Sequence, residues 1–255
     1  MKYEVSGTVM QTVAIDLNQG ETIYSQTSNM AWMSDSVKMS TNTGGGLFAG
    51  LKRSFSGGGL FITDFHAERD GHIAFAPRFP GTIMPVELKP GESLVCRKET
   101  FLCAEKSVTF DIAWQKRLGA GFFAGQGFVL QRVTGPGTVW LDLSGEVVAR
   151  DLAAGEKLLV HAGHIGVQAP SVSIDIQMIK GFSNILFGGE GLFLATLQGP
   201  GRVWLQSMPI MNLAEEIARY LPQQSAGGGN AMSSVVAGSA IGGLLGMMGS
   251  NNGST

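Results

Sequence analysis

The sequence predicts an all-β protein built from three tandem repeats of about 65 residues. One sign is a Gly-Pro-Gly turn followed by an apolar strand, which occurs as VTGPGTVWLDL from Val133 and as LQGPGRVWLQS from Leu197. A second sign is a Gly-Glu pair that occurs three times, beginning at Gly20, Gly91 and Gly155. A third is the alternation of apolar and polar residues between closely spaced turns, which is typical of hairpins in a sandwich or barrel.

The repeat boundaries follow from aligning these markers. We place the first repeat at residues 1–80, with a Gly-rich insertion, the second at 81–145 and the third at 146–210. A unit of this size buries so little of its surface that it is marginal as an independent fold, so we expect the three to pack together around a pseudo-three-fold axis. In that arrangement Phe75, Trp140 and Trp204 should occupy equivalent buried positions.

The Gly-Pro-Gly turns have a physical reason. Proline fixes its own φ near −65°, and glycine can adopt positive φ, so the chain can reverse sharply and re-enter the sheet. The strands between turns, such as SVTFDIAW and VSIDIQM, have a period of two. One face of each should therefore lie in a core.

One helix is predicted, over residues 211–222. Leu213, Ile217 and Leu221 recur at helical spacing, and Asn212 can cap the first turn. The remaining residues, 223–255, are rich in Gly, Ala and Ser, and no charged residue occurs from 220 onward. A flexible or weakly self-associating tail is the first interpretation, and membrane contact is the alternative.

Composition narrows the classes of partner. Hydrophobic residues make up 44% of the chain and charged residues 15%, with a net charge of −2. Nucleic acid is not expected as a partner, since there is no excess of Lys and Arg to neutralise phosphates. The start of the chain does not resemble a secretory signal, and there are only two cysteines, Cys96 and Cys103. We therefore expect a cytoplasmic protein whose two thiols are free and act as small apolar filler.

The stretch GGGLFAGLKRSFSGGG, residues 44–59, is the segment most like a binding loop. It is not a phosphate-binding loop, because Leu51 precedes Lys52 and no strand–helix context surrounds it. Either its apolar side chains pack on the sheet, or the segment contacts a partner or a membrane surface. The candidate contact residues are Leu47, Phe48, Leu51, Lys52, Arg53 and Phe55.

No catalytic constellation is evident, and we expect no enzyme activity, metal or cofactor. Of the four histidines, His66 and His72 lie in the first repeat, whereas His161 and His164 lie in the third at non-equivalent places. The last two could supply only two ligands of a cupin-like metal site, and a catalytic site needs at least three. The repeated Glu21, Glu92 and Glu156 each follow a turn glycine, and a residue repeated in this way indicates structure.

The segments GGGLFAGLKRSFSGGGLFITDF and GHIAFAPRFPGTIMPVEL, with the paired Gly-Pro-Gly turns, carry a family resemblance. From about residue 3 to 221 the chain resembles a widespread bacterial and archaeal family related to the mitochondrial protein called altered inheritance of mitochondria 24. The resemblance implies three double-stranded β-helix-like units similar to the tryptophan RNA-binding attenuation protein. It implies no catalytic residues.

Two functions follow as hypotheses. The first is a non-enzymatic β-structured scaffold or interaction protein, self-associating as a homo-oligomer and engaging a partner or the periphery of a membrane. The second is a small-ligand or RNA-binding module, by analogy with the attenuation protein, whose ligand would lie in a groove between units.

Overall fold

Short runs of β-branched, aromatic and aliphatic residues between tight turns form the strands of this protein. The computed structural model describes residues 1–26, 29–41, 62–116, 128–179 and 192–220. This part of the chain is nearly all β, which confirms the predicted fold class. The candidate contact segment at residues 44–59 and the tail from 221 onward lie outside the described residues.

The strands follow one another in the order of the predicted repeats. In residues 1–80 they are β1 (Lys2–Ser6), β2 (Thr12–Leu17), β3 (Thr22–Gln26), β4 (Met30–Met33), β5 (Val37–Thr41), β6 (Ile62–Ala67) and β7 (Gly71–Phe75). In residues 81–145 they are β8 (Gly81–Leu88), β9 (Ser93–Arg97), β10 (Phe101–Glu105), β11 (Thr109–Lys116), β12 (Phe128–Thr134) and β13 (Gly137–Ser144). The last group is β14 (Val147–Leu152), β15 (Lys157–His161), β16 (Ile165–Gln168), β17 (Ser173–Ile179), β18 (Leu192–Gln198) and β19 (Gly201–Gln206), followed by helix α1 (Ile210–Tyr220).

These strands form four antiparallel sheets, and two of the sheets join neighbouring groups of strands. The orders are β1-β2-β7-β4, β5-β6-β3-β10-β13-β8, β11-β12-β9-β16-β19-β14 and β15-β18-β17. The second sheet crosses from the first group to the second through β3 and β10, and the third sheet crosses to the third group through β9 and β16. We call these two pairings the closed junctions.

Three apolar clusters fill the space between the sheets, and each contains residues from both sides of a closed junction. Trp140 and Leu102 of the second group pack with Phe75 and Ile15 of the first. A second cluster contains residues of the second group together with Tyr24 of the first group and Val167 of the third. The last cluster contains residues of the third group together with Val95 and Phe128 of the second. The closed junctions are therefore held by shared cores as well as by strand pairing.

The turns before β3, β9 and β15 are built alike. Each has a glycine with φ between 78° and 87° at its third position, which is the left-handed region that a type II turn needs there. The backbone amide of the following glutamate donates to the carbonyl oxygen three residues earlier, at 3.0 Å in all three turns. The two Gly-Pro-Gly turns likewise place Gly137 and Gly201 at positive φ, and both Gly-Pro peptides are cis.

The predicted equivalence of three aromatic residues is wrong in its alignment. Trp140 and Trp204 share one place in the pairing, directly after a bulge in the neighbouring strand. In β7 that place is taken by Ala74, after the bulge in β4. Phe75 lies one residue further on, in the position of Leu141.

The predicted burial is right for Phe75 and Trp140, which are fully buried, and wrong for Trp204, which is half-buried. Tyr3 of β1 meets the Trp140 ring edge-on, with 5.4 Å between ring centroids. Among the described strands none lies beside β8 of the second group as β1 lies beside β2 of the first. No added strand therefore places a ring against Trp204 as β1 does against Trp140.

The predicted helix is present as α1, which spans Ile210–Tyr220. Residues 221 and 222 of its predicted range lie outside the described residues. Asn212 is not its cap, because the carbonyl of Pro209 accepts the first bonds, from the amides of Asn212 and Leu213 at 3.0 and 3.4 Å. The pseudo-three-fold arrangement, the attenuation-protein-like repeat and the domain boundaries stay predictions.

Candidate interaction surface

Two strands, β4 and β15, end their sheets although their counterparts in the closed junctions are paired on both sides. The strands that follow the Gly-Glu turns are β3, β9 and β15; β3 and β9 pair across a closed junction. The strands that carry the bulge are β4, β10 and β16. At the closed junctions β10 pairs with β3, and β16 pairs with β9. Among the described strands β4 pairs with β7 and β15 with β18, and each leaves its other edge open. We call β4 and β15 the open edges.

The closed junctions share one register. Cys103 of β10 lies opposite Ser25 of β3, and Val167 of β16 lies opposite Cys96 of β9. Side chains reinforce the first junction: the Ser25 hydroxyl donates to the Leu102 carbonyl at 2.5 Å. The shared register means that one geometry serves both junctions.

Polar groups close the first junction further. The Tyr24 hydroxyl donates to the Val108 carbonyl at 2.7 Å, and the Lys106 ammonium lies 2.6 Å from an Asp64 carboxylate oxygen. Burial raises the pKa of Tyr24 far above its usual range, so the phenol stays protonated and acts as a donor. These contacts bind the two groups of strands together.

The open edges expose the side chains that the closed junctions bury. Trp32 of β4, the counterpart of Cys103 and Val167, is 50% exposed, whereas those two residues are fully buried. Leu159 of β15 is 65% exposed, whereas its counterpart in β3, Tyr24, is fully buried. Strand β4 has the sequence MAWM and carries no charge. Soluble proteins commonly protect an exposed edge with charge or proline, and β4 has neither.

The contact residues predicted from the sequence cannot be compared with this surface. Leu47, Phe48, Leu51, Lys52, Arg53 and Phe55 all lie outside the described residues.

The histidines are separated, except for one pair. His66 Nδ1 lies 3.0 Å from the Thr22 hydroxyl, and His72 Nδ1 lies 2.9 Å from that of Ser34. The rings of His161 and His164 are 5.7 Å apart. Burial lowers the pKa of His161, and the nearby His164 and Arg97 lower it further. Within the described ranges no group of three or more His, Cys, Asp or Glu is placed to hold a metal.

Both cysteines are buried and free, as expected for apolar filler. Burial raises the pKa of Cys96 to about 12 and that of Cys103 well above its usual range. A thiol that stays protonated at neutral pH is a poor nucleophile.

The three repeated glutamates have a structural role. One carboxylate oxygen of Glu21, Glu92 and Glu156 accepts a hydrogen bond from the backbone amide three residues earlier, at 2.8 Å in each case. Together with the turn's own backbone bond, this contact fixes the entry into the following strand.

One buried carboxyl group was not singled out by the sequence. Asp142 in β13 has an oxygen, Oδ1, that is buried without a hydrogen-bond partner. Burial raises its pKa to about 7, although the positive charge of Arg78 opposes that shift. A regular alternating strand gives no signal for such a group.

The open edges could not be predicted from the sequence. Trp32 and Leu159 each lie in an ordinary strand pattern, and only the order of the described strands shows that β4 and β15 have a neighbour on one side alone. Within the described residues, no helix is both long enough and apolar enough to cross a membrane.

Fold and surface together define an all-β protein whose groups of strands share sheets through closed junctions and end in two open edges. The chain belongs to the family described as Mitochondrial biogenesis AIM24, whose model matches residues 3–208.

Two relatives come from the same bacterial species. An uncharacterized protein of Streptococcus pyogenes serotype M6 is 30% identical over 222 residues, which cover 84% of this chain and 88% of that protein. A Streptococcus pyogenes protein with a crystal structure is similar at a TM-score of 0.70 and 26% identity, covering 86% of this chain and 99% of the other.

Proposed function

We propose that this protein is a non-enzymatic scaffold that assembles into homo-oligomers through its open edges. The observation that carries the proposal is the exposure of Trp32 and Leu159 on strands whose counterparts pair across closed junctions. An unpaired strand presents a row of free amide and carbonyl groups, and another strand can satisfy them.

The energetic argument favours association over exposure. Covering apolar surface contributes roughly 25 cal/mol per Å², so burying a tryptophan and a leucine side chain contributes a few kcal/mol. Backbone hydrogen bonds between the paired strands would also fix the register and the direction in which two copies associate. The closed junctions show that this chain already uses such pairing to join its own groups of strands.

The test is sedimentation velocity of the full chain over a range of concentrations, beside Trp32→Lys and Leu159→Lys. We expect the unaltered chain to form species larger than the monomer and both variants to sediment as monomers. Val148→Lys is the matched control, because Val148 is 47% exposed on β14, a strand that also ends its sheet. A chain that stays monomeric at every concentration contradicts the proposal.

We also propose contact with the periphery of a membrane. Its support is that Ile217 and Tyr220 of α1 are 51% and 81% exposed, and that an uncharged sequence follows them. Amphipathic segments of this kind can lie at a membrane surface. Liposome co-sedimentation of the full chain, and of a chain ending at Gln223, measures this directly. If neither binds vesicles of any headgroup composition, membrane contact is excluded.

A further inference from the structure

The two open edges are complementary to each other. The closed junctions each join a strand that follows a Gly-Glu turn to a strand that carries the bulge. Strand β15 is the third strand of the first kind, and β4 is the third strand of the second kind. One example of each kind is therefore left without a partner among the described strands.

The register of a third junction follows from the other two. Cys103 lies opposite Ser25, and Ala104 lies opposite Tyr24. The counterparts of the first pair are Trp32 and Val160, and those of the second pair are Met33 and Leu159. The second closed junction has the same register.

We infer that β15 of one copy pairs antiparallel with β4 of a second copy of this chain, with Met33 opposite Leu159. This inference rests on the proposed function and names its contact. Both edges exist in one chain at high effective concentration, yet the described strands do not include a pairing of one with the other. A second copy supplies the missing partner with the same strand types and register as the closed junctions.

Each copy has one edge of each kind, which restricts the assembly. Two copies can pair reciprocally and leave no open edge, in a closed dimer with two-fold symmetry. If the geometry does not close, each added copy presents a fresh edge, and the assembly continues head to tail. In both cases every contact joins β4 to β15.

The test uses disulfide trapping between different copies. Full-length Met33→Cys and Leu159→Cys are prepared separately, mixed and oxidised mildly. Opposed residues in an antiparallel pair lie within the Cα separation that a disulfide tolerates. We expect a covalent dimer in the mixture at several times its yield with either variant by itself. The native Cys96 and Cys103 are buried with raised pKa values, so they should not contribute.

A register control uses Lys157→Cys in place of Leu159→Cys. Lys157 is exposed on the same strand but stands two residues away from the predicted partner, so its yield with Met33→Cys should be clearly lower. Equal yields from the two mixtures would show collision without a defined register and would overturn the inference.

The double variant Met33→Cys/Leu159→Cys separates pairing between copies from closure within one chain. A disulfide that forms only inside single chains, with no covalent dimer in the mixture, overturns the inference. If sedimentation shows edge-dependent oligomers but no trapped dimer forms, the scaffold proposal survives and this pairing does not. If the unaltered chain is monomeric, the scaffold proposal itself fails.

Discussion

The closed junctions and the open edges are two versions of the same structural problem within one chain. At the first closed junction, Cys103 and Tyr24 are fully buried, and hydrogen bonds to backbone carbonyls reinforce the strand pairing. At the open edges their counterparts, Trp32 and Leu159, face solvent. The comparison teaches that the edges differ from ordinary sheet ends, because strands of the same two types are paired with each other at both closed junctions.

The largest expected effect is on the free energy of unfolding, when tryptophans that differ in burial are replaced by alanine. Trp140→Ala should lower the free energy of unfolding by roughly 3–5 kcal/mol, because it empties a fully buried site. Trp204→Ala should cost less, since that ring is half-buried, and Trp32→Ala should cost the monomer least while weakening assembly. Chemical denaturation with sedimentation measures both properties. If Trp204→Ala costs as much as Trp140→Ala, the difference in burial between the two sites has no energetic meaning.

Asp142, which lies away from the open edges in β13, should make the free energy of unfolding depend on pH. Its pKa is about 7 when folded and close to 3.9 when unfolded, so between these values the folded chain holds a proton that the unfolded chain has lost. Stability should therefore rise as pH falls from about 8 toward 4, by at most about 1.4 kcal/mol per pH unit from this group. Asp142→Asn should flatten that dependence and stabilise the protein at pH 8.

The measurement is denaturant unfolding at several pH values for both chains. His161, whose pKa is lowered, acts in the opposite direction, because its neutral folded form loses stability as pH falls. His161→Gln is therefore the companion variant. A pH profile that is unchanged by Asp142→Asn would show that this carboxyl group does not carry the effect.

The smallest expected effect compares one turn beside a closed junction with one beside an open edge. Glu92→Gln and Glu156→Gln each weaken the same 2.8 Å contact to a backbone amide. We expect a loss of about 0.5–1.5 kcal/mol in each case, and the two values should agree. Thermal unfolding checks this. A clearly larger loss at Glu92 would mean that the turn also holds the closed junction.

Local features of the fold could be predicted from the sequence, because they depend on local chemistry. The Gly-Glu turns need positive φ at their glycines, and the alternation in β17 places Ile176 inside and Asp175 outside. The alignment of Phe75 with Trp140 failed because it matched one aromatic residue with another. Counted from the glycine that begins each strand, the fourth residue is Trp140 in β13 and Ala74 in β7.

The candidate interaction surface could not be predicted from the sequence, for a different reason. Whether Trp32 is covered depends on which strand lies beside β4, and that strand is far away along the chain or in another molecule. Similarly, the pKa of Asp142 depends on its burial and on the charge of Arg78, a residue far from it in the sequence. The segment singled out instead, residues 44–59, lies outside the described residues.

Hydrogen–deuterium exchange at low and high protein concentration tests the central claim most directly. We expect peptides covering Met30–Met33 and Lys157–His161 to become more protected as concentration rises, because their open edges pair between copies. Peptides covering β3 and β10 should be protected equally at both concentrations. Protection of β4 and β15 that does not change with concentration would contradict pairing between copies.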